Sequence, residues 1–273
     1  MTPEKFRALQ LVQASIMDDI HRVCVKNNLK YYMIGGTALG AVRHKGFIPW
    51  DVDIDIAMPR EDYERFIEIA NEELDSKYEC LSYKNVEFYI SAHMMVVLKN
   101  SSIRLENDDL NDPIRYGIYV DILPLDQVPL EQKKRIRHTR MLDFASKLKY
   151  YKNMRVYAKD SALRKLMKSF IRLLFSGISY YRLNEFQQKI AMMYNSLPDT
   201  GEICSTLSHY KYEKLCMSKK IWGTPKLYEF EGRQYYGAED INAYLTNLFG
   251  DYMKLPPLNV QENLRRTIVD AQW

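Results

Sequence analysis

Apolar residues recur at three- and four-residue spacing from the start of the chain, which predicts a long helix with one buried face. Its start is Thr2-Pro3-Glu4, a capping hydroxyl followed by a proline in the first turn, and Asn27-Asn28 would end it. The apolar positions are Phe6, Leu9, Val12, Ile16, Ile20 and Val23. The pattern then predicts a strand at 31–34 that stops at Gly35-Gly36, and a short helix at 37–43.

Strict alternation of acidic and apolar residues follows, in the order Asp51-Val52-Asp53-Ile54-Asp55-Ile56. In a strand, alternation places three carboxylates on one face and three β-branched side chains on the other. A second alternating strand is predicted at 117–122. It would turn Asp121 to one side and Ile118, Val120 and Ile122 to the other.

Helical spacing returns at 59–74, and 78–106 has the pattern of several short strands. Residues 131–190 are mainly helical and basic, and the chain from 201 onward mixes short strands and loops with a last helix at 238–249. These elements predict a mixed α/β (α+β) fold, a mixed sheet core flanked by helices with a basic helical addition. The expected division is a catalytic core at 1–130, a helical insert at 131–200, and a C-terminal segment at 201–273 that packs back on the core.

Composition narrows the class of protein. The chain has 273 residues, of which 27% are charged, with 11 Gly and 10 Pro, as in a folded globular protein. Its net charge of +4 argues against a nucleic-acid binder. That charge is uneven, because residues 131–190 carry 16 Lys+Arg against 4 Asp+Glu, whereas the remainder carries 23 against 31. With neither a signal-peptide pattern nor a spanning apolar run, a cytoplasmic location is expected.

The acidic strands carry the clearest chemical signal. Close carboxylates repel one another, so Asp51, Asp53 and Asp55 on one face are unfavourable without a cation. Mg²⁺ prefers a few carboxylates together with water and phosphate oxygens, and Asp121 could complete such a site. Two ions, Mg²⁺ or Mn²⁺, would suit phosphoryl transfer. The alternative, an exposed acidic edge strand, fits poorly because Asp is depleted in strands.

Gly35, Gly36 and Thr37 lie between a predicted strand and a helix start, where backbone N–H groups can approach a phosphate. A simple tight turn explains Gly-Gly equally well. Between this segment and the acidic strand, three cationic side chains could neutralise a diphosphate, or could form a solvated basic loop: Arg43, His44 and Lys45. Trp50 and Trp222 are the aromatic candidates for stacking on a ligand.

The segment from Tyr31 to Phe66 closely resembles the signature of the LicD family of phosphotransferases, which is similar in its core to fukutin-related proteins; it reads YYMIGGTALGAVRHKGFIPWDVDIDIAMPREDYERF. Gly117 to Asp126 (GIYVDILPLD) and Gly250 to Pro257 (GDYMKLPP) also resemble it, whereas 131–200 has no recognisable signature. The resemblance implies a nucleotidyltransferase-like fold.

By this resemblance, Gly35, Gly36 and Thr37 would contact a donor diphosphate, and Mg²⁺ would be held by Asp53, Asp55 and Asp121. The sequence departs from the family where three consecutive Asp are usual and Asp51-Val52-Asp53 stands instead; alternation would turn Val52 away from the metal pair. A second departure places Met94-Met95 in a strand where the family often has a Lys.

The implied reaction is transfer of phosphocholine from CDP-choline to a sugar hydroxyl of a cell-surface glycan precursor, such as a teichoic acid or lipopolysaccharide, with release of CMP. Asp121 would deprotonate or orient the hydroxyl, with Asp51 as the rival base, and Arg43 and Lys45 would stabilise the leaving phosphate. Another CDP-alcohol donor, with ribitol or glycerol, and the identity of the acceptor stay open.

Two other functions stay open from the sequence. The first is a nucleotidyltransferase of the same fold that moves a nucleoside monophosphate onto a small molecule or a protein. The second is a non-catalytic glycan-binding descendant, for which Val52 is the only support.

Residues 160–182 are strongly amphipathic, with apolar side chains on one helical face and Arg164, Lys165, Lys168 and Arg172 on the other. The pattern favours a helix packed on the core with a solvated basic face. The alternative is an interfacial helix on the anionic inner face of a membrane, where a lipid-linked acceptor would lie. Asp251 and Tyr252 either line the acceptor side or seal the domain.

Overall fold

The computed structural model describes residues 1–105, 117–154, 160–208, 210–265 and 268–273. The helices are α1 (Pro3–Lys26), α2 (Gly35–His44), α3 (Arg60–Glu73), α4 (Gln132–Lys152), α5 (Ala162–Phe175), α6 (Tyr180–Ala191), α7 (Tyr212–Leu215), α8 (Lys219–Trp222), α9 (Ile241–Phe249) and α10 (Leu258–Arg265). The strands are β1 (Tyr32–Met33), β2 (Asp55–Pro59), β3 (Tyr78–Leu81), β4 (Met94–Leu98), β5 (Ser102–Leu105), β6 (Tyr119–Gln127), β7 (Glu202–Cys204), β8 (Met217–Ser218), β9 (Lys226–Phe230), β10 (Arg233–Gly237) and β11 (Ile268–Gln272).

A mixed sheet organises the described residues, and helices flank it, which confirms the predicted fold class. Its main path runs β3-β4-β6-β2-β1-β10-β9, with β7 added beside β6 and β8 beside β7, while β5 and β11 form a separate pair. The pairs β2–β6 and β1–β10 are parallel, and the other pairs are antiparallel. The acidic residues therefore lie near the centre of the sheet.

The predicted first helix is confirmed as α1. The hydroxyl of Thr2 accepts a hydrogen bond from the Lys5 amide at 3.3 Å, which satisfies one N–H of the first turn. Five of the six predicted apolar positions are buried, and Val12 is half-buried. Two buried amides on α1, those of Gln10 and Gln13, reach out to the chain ahead of β2.

The prediction that the whole 51–56 segment is a strand is wrong, because β2 begins only at Asp55. The carbonyls of Asp51 and Val52 bond to α1 side chains instead of a neighbouring strand. Gln10 Nε2 donates to Asp51 O at 3.0 Å, and Gln13 Nε2 donates to Val52 O at 2.9 Å. Asp51 and Asp53 therefore reach the site from an irregular segment, and only Asp55 comes from the strand.

The strand β6 begins at Tyr119, two residues after its predicted start, and extends to Gln127, while the alternation predicted at 117–122 is present. Ile118, Val120 and Ile122 are fully buried, while Asp121 is partly exposed on the opposite side. In the parallel pair β2–β6, Asp55 lies in register with Asp121. This register brings two acidic residues from distant parts of the chain to adjacent positions.

The helices α4 and α6 fix the loop that leads into β4. Lys149 Nζ on α4 donates to Ile90 O at 3.1 Å, and Asn184 Nδ2 on α6 donates to Tyr89 O at 2.7 Å. Gln188 on α6 donates to the carbonyl of Ala92. Three carbonyls of the 89–93 loop thereby accept hydrogen bonds from α4 and α6, just before the chain enters β4.

The helix α5 contradicts the favoured prediction of a helix packed on the core, because none of its residues is buried. Its large apolar side chains are exposed by 55–75%; they are Leu163, Leu166, Met167, Phe170, Leu173 and Leu174. On the opposite side, Lys165 and Lys168 are only half-exposed. The apolar face therefore points to solvent. Of the four basic residues, Lys165 and Lys168 turn towards the protein, whereas Arg164 and Arg172 are exposed.

The end of the chain extends further than predicted. The expected last helix is present as α9, but α10 and β11 follow it, and β11 pairs with β5. Among the described residues, no helix combines the length and the apolar character that crossing a membrane requires.

Candidate active site

Three carboxylates converge where β2 and β6 lie side by side. One oxygen each of Asp53, Asp55 and Asp121 lies within 4.8 Å of the others. The amide of Asp121 donates to Ile54 O at 2.9 Å, which ties the irregular segment before β2 to β6. Asp53 therefore joins the pair even though it precedes the strand.

This arrangement opposes ionisation of the carboxyl groups. Burial, and then the charges of Asp51 and Asp121, raise the pKa of Asp53 to about 8. Burial, followed by the neighbouring carboxylates, also raises the pKa of Asp55 well above its usual value. Close, buried carboxylates of like charge are stabilised by a positive partner, so the site favours binding of a cation.

The chemistry of this donor set fits a hard divalent cation. Three carboxylate oxygens from two adjacent segments are ligands that Mg²⁺ uses, and they leave positions for water or phosphate oxygens. Cysteine plays no part, because all four cysteines are buried and unpaired elsewhere in the fold.

The glycine-rich helix start touches this cluster. The amide of Asp55 donates to the hydroxyl of Thr37 at 2.9 Å, so Thr37 positions β2. The amide of Gly35 donates to the Tyr244 hydroxyl at 2.9 Å and is engaged inside the protein. The amides of Gly36 and Thr37 lie in the first turn of α2, where helical geometry provides no carbonyl partner.

Asp51 lies against the start of α2. A Cβ at Gly36 would lie 2.3 Å from Asp51 Oδ2, so this close approach requires glycine. Burial raises the pKa of Asp51 to about 6, although a hydrogen bond from the Val52 amide opposes the rise. Asp51 is thus a neighbour of the three converging carboxylates, placed at the helix N-terminus.

The expectation that Val52 faces away from the site is wrong. Val52 lines the same cavity as Asp51, Asp53 and Asp55, since the segment is irregular and does not alternate as a strand. The carboxylates of Asp53, Asp55 and Asp121 nevertheless converge, so Val52 does not prevent a cation site.

A cavity of about 590 Å³ opens on one side of the carboxylates. Its walls combine the first and last segments that carry the family resemblance, among them Gly36, Arg43, Trp50, Asp251, Tyr252 and Lys254. Arg43 Nη1 donates to Tyr252 O at 2.8 Å, which joins the two walls. Asp251 and Tyr252 therefore line this cavity, and Lys254 is a cation that the sequence reasoning did not single out.

Six of the predicted residues lie outside the cavity lining: Gly35, Thr37, His44, Lys45, Asp121 and Trp222. Lys45 is exposed and ends α2 in a left-handed conformation, with φ of 58°. His44 packs its ring edge to face against Trp50, 6.2 Å between centroids. Trp222 is a core residue, 3% exposed, between Tyr32 and Tyr244.

His93 is the main residue that sequence reasoning missed. Its Nε2 lies 2.9 Å from Asp121 Oδ1, and its carbonyl accepts from the Tyr89 hydroxyl at 2.7 Å. Tyr210, also missed, lines the cavity, and burial and the charges of Asp55, Asp51 and Asp53 raise its pKa. The only signal for His93 was its position just before a predicted strand.

The three converging carboxylates lie within a segment of the chain that matches a known family. Residues 28–155 match the family model described as LicD/FKTN/FKRP, nucleotidyltransferase domain. A lipopolysaccharide cholinephosphotransferase LicD of Haemophilus influenzae is 30% identical over 260 residues, which cover 92% of each chain. The chain belongs to the LicD family and is a LicD-type transferase.

Shorter similarities fall on two rickettsial proteins described as uncharacterized. The Rickettsia prowazekii protein is 44% identical over 77 residues, 28% of this chain and 26% of its own. The Rickettsia typhi protein is 49% identical over 63 residues, 23% and 20% of the two chains.

Proposed function

We propose that this protein transfers phosphocholine from CDP-choline to a sugar hydroxyl of a cell-surface glycan precursor, with release of CMP and with dependence on Mg²⁺. The convergence of Asp53, Asp55 and Asp121 beside a cavity of about 590 Å³ is the observation that carries the proposal. The cholinephosphotransferase name of the Haemophilus relative supports phosphocholine as the transferred group.

The donor diphosphate would lie at the start of α2. The Gly36 and Thr37 amides of the first turn would donate to phosphate oxygens, and the helix N-terminus would favour the phosphate charge; Gly36 lines the cavity. Arg43 lines the same cavity and is held in place by the Tyr252 carbonyl. Trp50 supplies an aromatic face for the cytosine ring or the choline cation.

A divalent cation held by Asp53, Asp55 and Asp121 would neutralise charge on the transferring phosphoryl group. The acceptor hydroxyl gives its proton to Asp121, and its oxygen forms a bond to the phosphorus that carries choline. The bond from that phosphorus to the bridging oxygen breaks, and CMP leaves with the electron pair. Arg43 stabilises the charge on the leaving phosphate.

His93 would act on Asp121 as a positioning residue. The hydrogen bond at 2.9 Å fixes one carboxylate oxygen, which leaves the other available to the site. Since α4 and α6 bind the carbonyls of the 89–93 loop, these helices hold His93 in place.

The acceptor glycan is proposed to be lipid-linked, with α5 lying on an anionic membrane surface at the inner face. The apolar face of α5 is exposed among the described residues, and a membrane would cover it. The surplus of 16 Lys+Arg over 4 Asp+Glu at 131–190 suits anionic lipid headgroups.

The proposal is tested by incubating the protein and Mg²⁺ with CDP-choline, CDP-ribitol or CDP-glycerol and a crude glycan acceptor, and measuring CMP. We expect CMP release to be fastest with CDP-choline and to be absent from the Asp55→Asn variant. Preference for CDP-ribitol or CDP-glycerol would refute choline as the group transferred. Equal release by the variant would refute the assigned site.

A further inference from the structure

A second cavity, of about 550 Å³, is lined in part by His93. It is formed between the 90–93 loop, α4 and α6, and Leu207 closes part of it. We call the cavity of about 590 Å³ beside the carboxylates the donor cavity. The α4 and α6 walls of the second cavity share no residue with the donor cavity and lie outside the segments that resemble the LicD signature. The second cavity therefore belongs to a different part of the molecule from the donor cavity.

His93 connects this second cavity to the reacting centre. The His93 ring lines the cavity and bonds Asp121 at 2.9 Å, while Asp53 and Asp55 line the donor cavity. Through the His93–Asp121 contact, the carboxylate cluster is therefore connected to the linings of both cavities. In phosphoryl transfer the attacking and leaving oxygens are roughly in line, so the acceptor must approach from a side that the leaving group does not occupy.

The wall of the second cavity contains a buried cation. The Lys149 ammonium, 7% exposed, donates to Ile90 O at 3.1 Å and to Asn184 Oδ1 at 3.0 Å. Both acceptors are neutral, and among the described residues no carboxylate lies within 4.0 Å of Lys149 Nζ. An ammonium has three donors, so it retains capacity for a ligand oxygen.

Two other groups in this wall have unused hydrogen-bonding capacity. Gln187 Oε1 and His93 Nδ1 are buried and have no partner among the described residues. Leaving such a group unsatisfied is costly, so a ligand that pairs with it gains affinity. Gln187 Nε2 bonds Ser146 Oγ at 3.0 Å, which orients the amide at the cavity.

The rest of the lining suits a sugar. Tyr150 is 65% exposed and offers an aromatic face, on which the apolar face of a pyranose can pack. Asn153 adds an amide. Lys168 also lines the cavity, where it is paired with Asp160 at 2.7 Å.

We propose that this second cavity binds the hydroxyl-bearing sugar of the glycan acceptor, with Lys149 and Gln187 as its hydrogen-bonding residues and His93 at the end nearest the carboxylates. The inference rests on the proposed function, because it assigns the acceptor for that transfer. It predicts that acceptor recognition is separable from donor recognition by substitution.

Binding is measured without turnover by saturation-transfer NMR, with a panel of methyl glycosides of hexoses and N-acetylhexosamines, in the presence of CMP and Mg²⁺. We expect at least one sugar to bind, and Lys149→Met and Gln187→Leu each to weaken it about tenfold or more. Lys147→Met is the matched control, an exposed residue on the same helix, and should bind as the unaltered protein does. Far-UV circular dichroism and thermal unfolding verify that each variant is folded.

The sugar site is refuted if no sugar in the panel binds, or if folded Lys149→Met and Gln187→Leu variants both bind normally. It is also refuted if Arg43→Met, in the donor cavity, abolishes sugar binding while they do not. CMP release from CDP-choline reports on the proposed function separately. Sugar binding without any CMP release would refute the transfer and leave the sugar site intact.

Discussion

Asp53 lies where burial and two neighbouring carboxylates oppose its ionisation, and where the proposed cation requires it to be ionised. Its pKa is raised to about 8, above the value of about 3.9 expected in an unfolded chain. Between these two pKa values the folded state binds more protons than the unfolded state. The contribution of Asp53 to stability is therefore present at low pH and lost as pH rises towards 8.

The Asp53→Asn variant should separate stability from activity. In EDTA, its free energy of unfolding should fall less between pH 5 and pH 8 than that of the unaltered protein, because the substituted group no longer ionises. Its transfer rate should fall by about a hundredfold or more, since a ligand of the proposed cation is lost. Urea unfolding and CMP release measure the two effects. A variant with normal turnover, or with the same pH dependence, contradicts the assignment.

Cation binding should release protons, because the carboxylates must ionise to bind Mg²⁺. The affinity for Mg²⁺ should therefore rise from pH 6 to pH 8, because Asp51 and Asp53 lose protons in this interval. Calorimetric titration with Mg²⁺ in two buffers of different ionisation enthalpy measures the number of protons released. An affinity that does not change with pH would contradict the electrostatic description.

Gly36 is needed for close packing rather than for a left-handed backbone. An added Cβ would lie 2.3 Å from Asp51 Oδ2, so Gly36→Ala must displace Asp51 or the start of α2. A shift of about 1 Å there should lower kcat/KM for CDP-choline by about a hundredfold. Gly177→Ala is the control, because nothing lies within 4 Å of the added Cβ. Similar kcat/KM values for the two variants would argue against a donor site at α2.

The single residues that could be predicted were those with a local signal. Alternation indicated an acidic cluster of Asp51, Asp53 and Asp55 that Asp121 could complete. The family resemblance implied the trio Asp53, Asp55 and Asp121, and these three do converge. His93 could not be predicted as a site residue, since its partner Asp121 is 28 residues away. The hydrogen bond between them also depends on the 89–93 loop, which α4 and α6 hold in place. Lys254 reaches the cavity only because the chain returns to α2 near its end.

Among the elements, helices with strong periodicity were predicted well, and α1 begins and ends within a residue or two of its expected bounds. The start of β2 was predicted wrongly, at residue 51 instead of Asp55. Whether 51–54 forms a strand depends on side chains about 40 residues earlier, because Gln10 and Gln13 bond its carbonyls. The periodicity of α5 correctly indicated an amphipathic helix but could not say which face meets the protein.

The exposed face of α5 gives a test at this scale. Leu166→Gln combined with Phe170→Gln should abolish flotation with vesicles that contain anionic lipid, since both side chains are more than half exposed and would insert. Arg172→Gln, at an exposed cation of the same helix, should instead weaken the preference for anionic over neutral vesicles. Flotation assays with phosphatidylglycerol and with phosphatidylcholine vesicles measure both effects.

The unaltered protein failing to float with anionic vesicles would refute the membrane contact. If size-exclusion chromatography then showed a dimer that the Leu166→Gln, Phe170→Gln variant lacks, a second copy of the chain would be the partner of α5.

At the scale of the whole molecule, the net charge of +4 is the sum of a basic region at 131–190 and an acidic remainder. The basic stretch at 131–190 contributes α4 and α6, which hold the loop of His93, and α5, which exposes its apolar face. The acidic remainder supplies the carboxylates of the site. An anionic surface would therefore be attracted to the helices, and a cation to the sheet.

The central claim concerns which phosphorus is attacked. Phosphorus NMR of the protein with CDP-choline, Mg²⁺ and a glycan acceptor distinguishes the possibilities directly. We predict that the diphosphate signals of CDP-choline disappear as CMP and a new phosphodiester signal appear in equal amounts, and that nucleoside triphosphates yield no pyrophosphate. Release of pyrophosphate from a triphosphate, with CDP-choline unchanged, would show nucleotidyl transfer and contradict the proposed function.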